Sequence, residues 1–286
     1  MSNGLPLPTI SIVTPSLDQA DFLEETLTSV LAQGYPNLEY VVVDGGSSDG
    51  TVSIIKRHES GIRYWVSEPD EGHAHALNKG FALTTGEIMG WINSTDIYYP
   101  WTLETVADIF RDLPEVEWIE GMPTHVDVGR RPKSIAASFC NRYDLLLGHE
   151  GTIQQESVFW RRSLWERAGG RLDDSLRLAC DYELWLRFSR TARLYHAGTI
   201  LAGFRFHDDR RGMVLRGDYA GEARSARDAE LASVHVRERV RVLALRGLRR
   251  GGTRRLLMLV ARSKALSWYR YPRILYDFSL RKWRIL

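Results

Sequence analysis

Short apolar runs rich in β-branched residues alternate with amphipathic stretches over the first hundred residues. "TISIVTP" (9–15), "EYVVVDGG" (39–46), "IRYWVS" (62–67) and "EIMGWIN" (87–93) read as four strands. The segments between them place apolar residues at helical spacing. Asp21 and Glu24 have the spacing of a capping box with Asp in place of Ser or Thr, and that helix should run to Gly34. Ser48 or Asp49 should cap a second helix reaching about His58, a third should run from about Gly72 to Gly86, and a fourth should begin after Pro100. Strand and helix in alternation predict βαβ units around a largely parallel sheet. "EIMGWIN" is apolar without interruption, as a central strand buried on both faces would be. Past Val116 the pattern loosens: "VEWIEG" and "IQQESVFW" predict strands, "RSLWERAGG" and "DYELWLRFSR" helices. Beyond about Asp208, Arg, Ala, Leu and Gly dominate and predict helices, with a break at Gly251 and Gly252.

Composition changes this picture little, and charge changes it more. The 286 residues are 44% hydrophobic and 26% charged, ordinary for a globular chain with one large domain and an extension. Cys140 and Cys180 lie far apart with no metal-ligand spacing, which fits buried thiols in a reducing compartment. No apolar N-terminal segment follows a positive charge, and the longest uncharged apolar run, "LLMLVA" (256–261), falls short of the ~20 residues that cross a bilayer. The expected place is therefore the cytoplasm or the inner face of the cell membrane. Residues 236–286 hold 15 Lys and Arg against Glu238 and Asp277, a net of +13, so a whole of +2 leaves −11 for residues 1–235.

Candidate chemistry gathers at the strand ends. The first strand ends in Thr14, Pro15 and Ser16 with Asp18 beyond, the second in Asp44 and a Gly-Gly-Ser turn, the third in Glu68, Pro69 and Asp70, the fourth in Asn93, Ser94, Thr95 and Asp96. Ligands of open parallel sheets bind beyond the carboxyl ends of the strands. Each of these residues could be a turn or cap residue by itself; together they mark one rim. A dinucleotide fingerprint is excluded, since "TPSLDQADF" contains no glycine to admit a pyrophosphate. A nucleotidyltransferase would want a glycine-rich basic loop at the same point.

Three long segments follow one another in the order and spacing of a known family: "ISIVTPSLDQADFLEETLTSVLAQGYPNLEYVVVDGGSSDGT", "SEPDEGHAHALNKGFALTTGEIMGWINSTD" and "RSLWERAGGRLDDSLRLACDYELWLRF". Over about residues 8–207 the chain resembles the family 2 glycosyltransferases. The resemblance implies a GT-A fold, a Rossmann-like, mostly parallel sheet with helices on both faces. It also implies inverting transfer from a nucleotide-sugar donor to a hydroxyl of a glycan or lipid-linked acceptor, as in bacterial cell-surface polysaccharide synthesis. On that likeness, residues 1–208 form the transferase domain and 209–286 a basic, mainly helical extension.

The resemblance also implies roles. Thr14, Pro15 and Ser16 would line the nucleoside, Asp44 would accept from the base, Lys79 would face the diphosphate, and Asn93 and Asp96 would complete the donor site. Asp181 would be the base that takes the acceptor's proton; Glu183 points about 200° around the helix and cannot share its place. Gln155 and Glu156, with Gln154, would line the acceptor pocket. Asp96 would hold Mg²⁺ or Mn²⁺ against the donor phosphates, with His207 of "FRFHDD" as a further ligand, but Thr95 stands where the family commonly has Asp. Cationic side chains in place of the metal are the alternative. An idle nucleotide-binding relative is the rival of another class. His73 and His75 diverge as an i, i+2 pair, so one of them at most faces the site.

The basic tail mixes Arg with Leu, Val, Trp and Tyr. Such a surface fits an anionic membrane, and equally the protein's own acidic body or a second subunit in a homo-oligomer. Nucleic acid fits less well, because the body that would carry the active face is acidic.

Overall fold

The computed structural model describes residues 6–137, 139–149, 153–206, 216–250 and 269–286, the side chains of 216 and 248–250 excepted. The four expected strands are present: β1 (Ile10–Ser16), β2 (Leu38–Asp44), β3 (Tyr64–Ser67) and β4 (Ile88–Trp91). Between them run α1 (Ala20–Leu31), α2 (Thr51–His58) and α3 (His73–Ala82), and α4 (Thr102–Asp112) follows the two-residue strand β5 (Ile97–Tyr98). β2 pairs with β1 and β3, and β1 with β4, all in parallel. Their carboxyl ends therefore lie along one edge.

The second half extends this sheet. β9 (Val158–Arg161) enters antiparallel between β4 and β6 (Trp118–Glu120), and β10 (Leu194–Ala197) pairs with β6 in parallel. Beyond it lie β12 (Arg273–Asp277) and β13 (Lys282–Ile285), an antiparallel pair that completes nine strands. A second sheet of four strands, β5, β11 (Ala202–Arg205), β7 (Thr124–Val126) and β8 (Pro132–Ile135), stands beside the first.

Alternation along the strands divides the core in two. Val13, Val41, Val43, Met89 and Trp91 face α3, α6 (Arg162–Arg167) and α7 (Cys180–Thr191), whereas Ile10, Ile12, Tyr40, Val42 and Ile88 face α1, α2 and α4. The first layer is built around tryptophans: Trp91 and Trp118 stack on Trp185 at 5.7 and 5.6 Å, and Trp160 meets Trp91 edge-on at 5.5 Å. Such pairs favour offset and edge-to-face geometry over sandwiches. α5 (Arg142–Leu146), α8 (Arg216–Ser233) and α9 (Val236–Arg250) close this side.

One expectation is corrected here. Asp21 does not cap α1: it lies inside the first turn, and the helix start is satisfied from the next loop, where Asp49 accepts the Ala20 N–H at 2.9 Å and Thr51 the Gln19 N–H at 3.1 Å. Glu24 instead pairs with Arg57 at 2.9 Å. The tail is helical over α8 and α9, as expected, and its last residues add the β12–β13 hairpin. Trp283 of that hairpin is buried in the core and donates its backbone N–H to Asp112 at 2.9 Å.

Candidate active site

A cavity of about 460 Å³ opens at the carboxyl end of β4, and Trp91, Asn93, Gln155, Glu156, Asp181 and His73 are among its walls. Each arrives on a different element. Asn93 follows β4, Gln155 and Glu156 form the short 3₁₀ turn that leads into β9, and Asp181 is the second residue of α7. His73 opens α3, and Tyr219 of α8 closes the far side.

Asp181 accepts the N–H of Tyr182 at 2.7 Å and the hydroxyl of Tyr219 at 3.2 Å. Burial pushes its carboxyl up to about 6, and the Tyr182 and Tyr219 donors pull against that rise. It is thus ionised at neutral pH yet basic enough to accept a proton. α7 has no side-chain cap of its own; Glu222 of α8 accepts the N–H groups of Leu178 and Ala179 at 2.9 and 3.0 Å. The basic extension therefore holds the helix start on which Asp181 sits.

Glu156 is in the opposite state. It is 2% exposed, its Oε1 has no hydrogen-bond partner among the described residues, and burial followed by the charges of Asp96, Glu120 and Asp181 drives its carboxyl well above the usual range. A neutral acid there can donate a hydrogen bond, so two carboxyls in one cavity are split between acid and base. Asn93 Oδ1 and Gln155 Oε1 are also buried without partners among the described residues, while Gln155 Nε2 donates to the Trp91 carbonyl at 2.6 Å. Burial lowers the His73 imidazole to about 4, keeping it neutral, with Asp70 opposing.

The residues expected at the donor end are placed differently. Asp96 is fully buried behind the cavity wall: Oδ1 accepts the Arg205 N–H at 3.0 Å, Oδ2 the Asn93 amide at 3.4 Å, and burial raises its carboxyl. Thr14 is buried with its hydroxyl against the Tyr40 hydroxyl at 2.9 Å; Pro15 is buried, and the buried Ser16 hydroxyl has no partner among the described residues. Asp44 is enclosed by its own turn, accepting Gly46 N–H at 3.2 Å, Ser47 N–H at 2.9 Å and the hydroxyls of Ser47 and Ser67 at 2.5 and 2.6 Å. Lys79 pairs with Glu68 at 2.7 Å. None of these last five is among the residues that line the cavity. They meet at the neighbouring ends of β1, β2 and β3, where Asp70 approaches Gly45.

Mg²⁺ or Mn²⁺ held by Asp96 and His207 was expected. His207 lies outside the described residues, and among the described residues no three His, Cys, Asp or Glu side chains converge to hold a metal. Both oxygens of Asp96 already accept hydrogen bonds. The cation at this corner is the Arg205 guanidinium, 2% exposed, which donates to the Thr95 carbonyl at 2.8 Å and lies 2.7 Å from Glu25 at an angle outside hydrogen-bond geometry. The described residues alone do not fit a resident metal ion.

Arg205, Tyr219 and Glu222 were not foreseen. Arg205 stands two residues before His207 in a motif already singled out, but nothing local shows that its backbone caps Asp96 across 109 residues. Tyr219 and Glu222 reach the site through tertiary packing alone.

The family model described as glycosyl transferase family 2 matches residues 11–170. An uncharacterized glycosyltransferase of Rickettsia typhi is 30% identical over 213 residues, 70% of this chain and 65% of that protein. One of Mycobacterium tuberculosis is 32% identical over 184 residues, 63% of this chain and 68% of that protein. The chain spans just under two thirds of the first relative's length and a third, 34%, of one from Rickettsia conorii. Among solved structures, S. aureus TarS in complex with UDP-GlcNAc superposes with a TM-score of 0.66 at 16% identity, covering 82% of this chain and 70% of that one. The mannosyltransferase PcManGT of Pyrobaculum calidifontis, in complex with GDP-Man and Mn²⁺, gives 0.53 at 20% identity over 92% and 83%. At these identities the structures share the fold, a GT-A arrangement of the mostly parallel sheet.

Proposed function

The chain belongs to glycosyl transferase family 2 and is an enzyme of that family, and from the cavity around Asp181 we propose that it transfers a sugar, with inversion, from a nucleoside-diphosphate donor to a hydroxyl of a glycan or lipid-linked acceptor. The observation that carries this reading is a carboxylate raised to about 6 at a helix start, facing a cavity whose other walls leave polar atoms unpartnered among the described residues. The acceptor hydroxyl gives its proton to Asp181 while its oxygen forms a bond to the anomeric carbon. The bond from that carbon to the donor phosphate breaks on the opposite face, and its electron pair leaves with the diphosphate. Neutral Glu156, with Gln155, orients hydroxyls of the acceptor by hydrogen bonds.

The donor lies along the ends of β1, β2 and β4, against Thr14, Pro15, Ser16, Asp44, Lys79, Asn93 and Asp96. Thr14 contributes by its place in the strand, since its hydroxyl is engaged by Tyr40. The structural neighbours in complex with UDP-GlcNAc, UDP and GDP-Man support a nucleotide-sugar donor. Residues 1–208 form the transferase unit and 209–286 the extension, with α8 lending Tyr219 and Glu222 to the site. A place in cell-surface polysaccharide synthesis at the cytoplasmic side of the envelope fits the class of acceptor.

A panel of nucleoside diphosphates, each added with and without Mn²⁺ or Mg²⁺, tests the donor site by thermal shift. Saturation at a hundred times Kd stabilises by about 2.7 kcal/mol, so at least one nucleotide should raise Tm by several degrees, and its dependence on the ion decides the metal. A panel in which no nucleotide moves Tm would overturn the reading.

A further inference from the structure

α9 has two apolar faces where one would serve the fold. Val242 and Leu245, each 2% exposed, pack into the tryptophan-lined core layer. The helix's only acid among its described side chains, Glu238, also turns inward and pairs with Arg142 at 2.5 Å. On the other side Val236, Val240 and Leu243 stand 68%, 59% and 63% exposed. Their spacing of four and three residues puts them in one stripe along the helix.

The stripe is bordered by charge of one sign. Arg237, Arg239, Arg241 and Arg246 are exposed on the same helix, and among the described residues no carboxylate pairs with Arg237 or Arg246. Beside the stripe, Leu231, Ala232, Val242 and Leu243 line a shallow groove between α8 and α9 that Arg239 and Arg246 also line. Its one acid, Asp228, is already paired with Arg227 at 2.9 Å. No helix among the described residues is long and apolar enough to cross a membrane.

We propose that the outer face of α9 docks on an anionic lipid bilayer, with Val236, Val240 and Leu243 entering the acyl boundary and Arg237 and Arg246 meeting lipid phosphates. Charge complementarity selects this occupant. A protein partner of ordinary composition would bring acids and amides to the stripe as well, whereas a bilayer offers a phosphate layer directly above hydrocarbon, the order in which α9 presents guanidinium and aliphatic groups. The proposal goes beyond the transferase reading and does not depend on turnover.

The test is flotation of the full chain with vesicles of phosphatidylcholine, with and without phosphatidylglycerol. The chain should float with the mixed vesicles and not with phosphatidylcholine alone, and salt should weaken the association. Val240→Asp with Leu243→Asp, and separately Arg237→Glu with Arg246→Glu, should each lower binding by roughly tenfold or more, with unchanged circular dichroism and thermal midpoint. Equal flotation with both vesicles, or variants that bind like the wild type, would overturn the proposal. So would a wild type that is a dimer in solution and becomes a monomer on Val240→Asp with Leu243→Asp, which would assign the stripe to a second copy. The nucleotide thermal shift should be the same in all variants, so loss of membrane binding and loss of the donor site are read separately.

Discussion

Two buried carboxyls mark opposite ends of the site, and their surroundings differ. Asp44, at the end of β2, accepts four hydrogen bonds from Gly46, Ser47 and Ser67 and is complete without a ligand. Glu156, before β9, leaves one oxygen without a partner among the described residues and sits within reach of the charges of Asp96, Glu120 and Asp181. The first arrangement shapes a rim in advance; the second keeps a polar group short of partners, at a cost to the fold, where an acceptor can complete it. Buried unpaired polar atoms need such a reason, and Asn93 and Gln155 in the same wall share it.

Substitutions can break or sharpen this contrast. Asp44→Ala strands two hydroxyls and two N–H groups, so with no ligand present it should cost about 3 kcal/mol in urea unfolding; a loss under ~0.5 kcal/mol would show that the turn does not need the carboxylate. Glu222→Ala strands the N–H groups of Leu178 and Ala179 just before α7 and should cost about 1–2 kcal/mol, lowering turnover because Asp181 shifts with the helix start. Tyr219→Phe should leave the fold intact and move the acid limb of the rate profile upward. The sign follows from the hydroxyl, which stabilises the ionised form of Asp181: its removal raises a pKa already near 6, so activity falls at a higher pH than in the wild type. An unmoved limb would place Tyr219 outside the proton path.

The smallest effect should come from Glu156→Gln. The folded-state carboxyl is raised above its unfolded value near 4.5, so the native state retains a proton that the unfolded chain releases, and stability falls as pH rises through that window. The amide removes the penalty, and melting curves at about pH 5 and about pH 8 should show the variant gaining on the wild type as pH rises. A gain at the acid end alone would contradict the sign.

The same contrast explains what could be read in the chain. β1 to β4 came within two residues of their expected bounds because alternation and turn chemistry are local signals, and Asn93, Glu156 and Asp181 could be found from strand ends and a helix start. The four-stranded sheet could not: its strands are two to four residues long, and Ile97 pairs with Gly203 across the length of a domain. The capping box failed because the Ala20 N–H is satisfied by Asp49, on the following loop. The hairpin Arg273–Ile285 was hidden by arginines that serve helix and edge strand alike, and Tyr219 comes to Asp181 across 38 residues, by packing that no spacing announces.

The central claim is that Asp181 takes the acceptor's proton in a cavity that binds an activated sugar. Release of nucleoside diphosphate from the stabilising donor, measured for wild type and Asp181→Asn over a panel of oligosaccharide acceptors, tests it most directly. The expected result is an unchanged donor-induced thermal shift with turnover reduced by about 10²–10⁴-fold; a variant that binds the donor and turns over at the wild-type rate would contradict it.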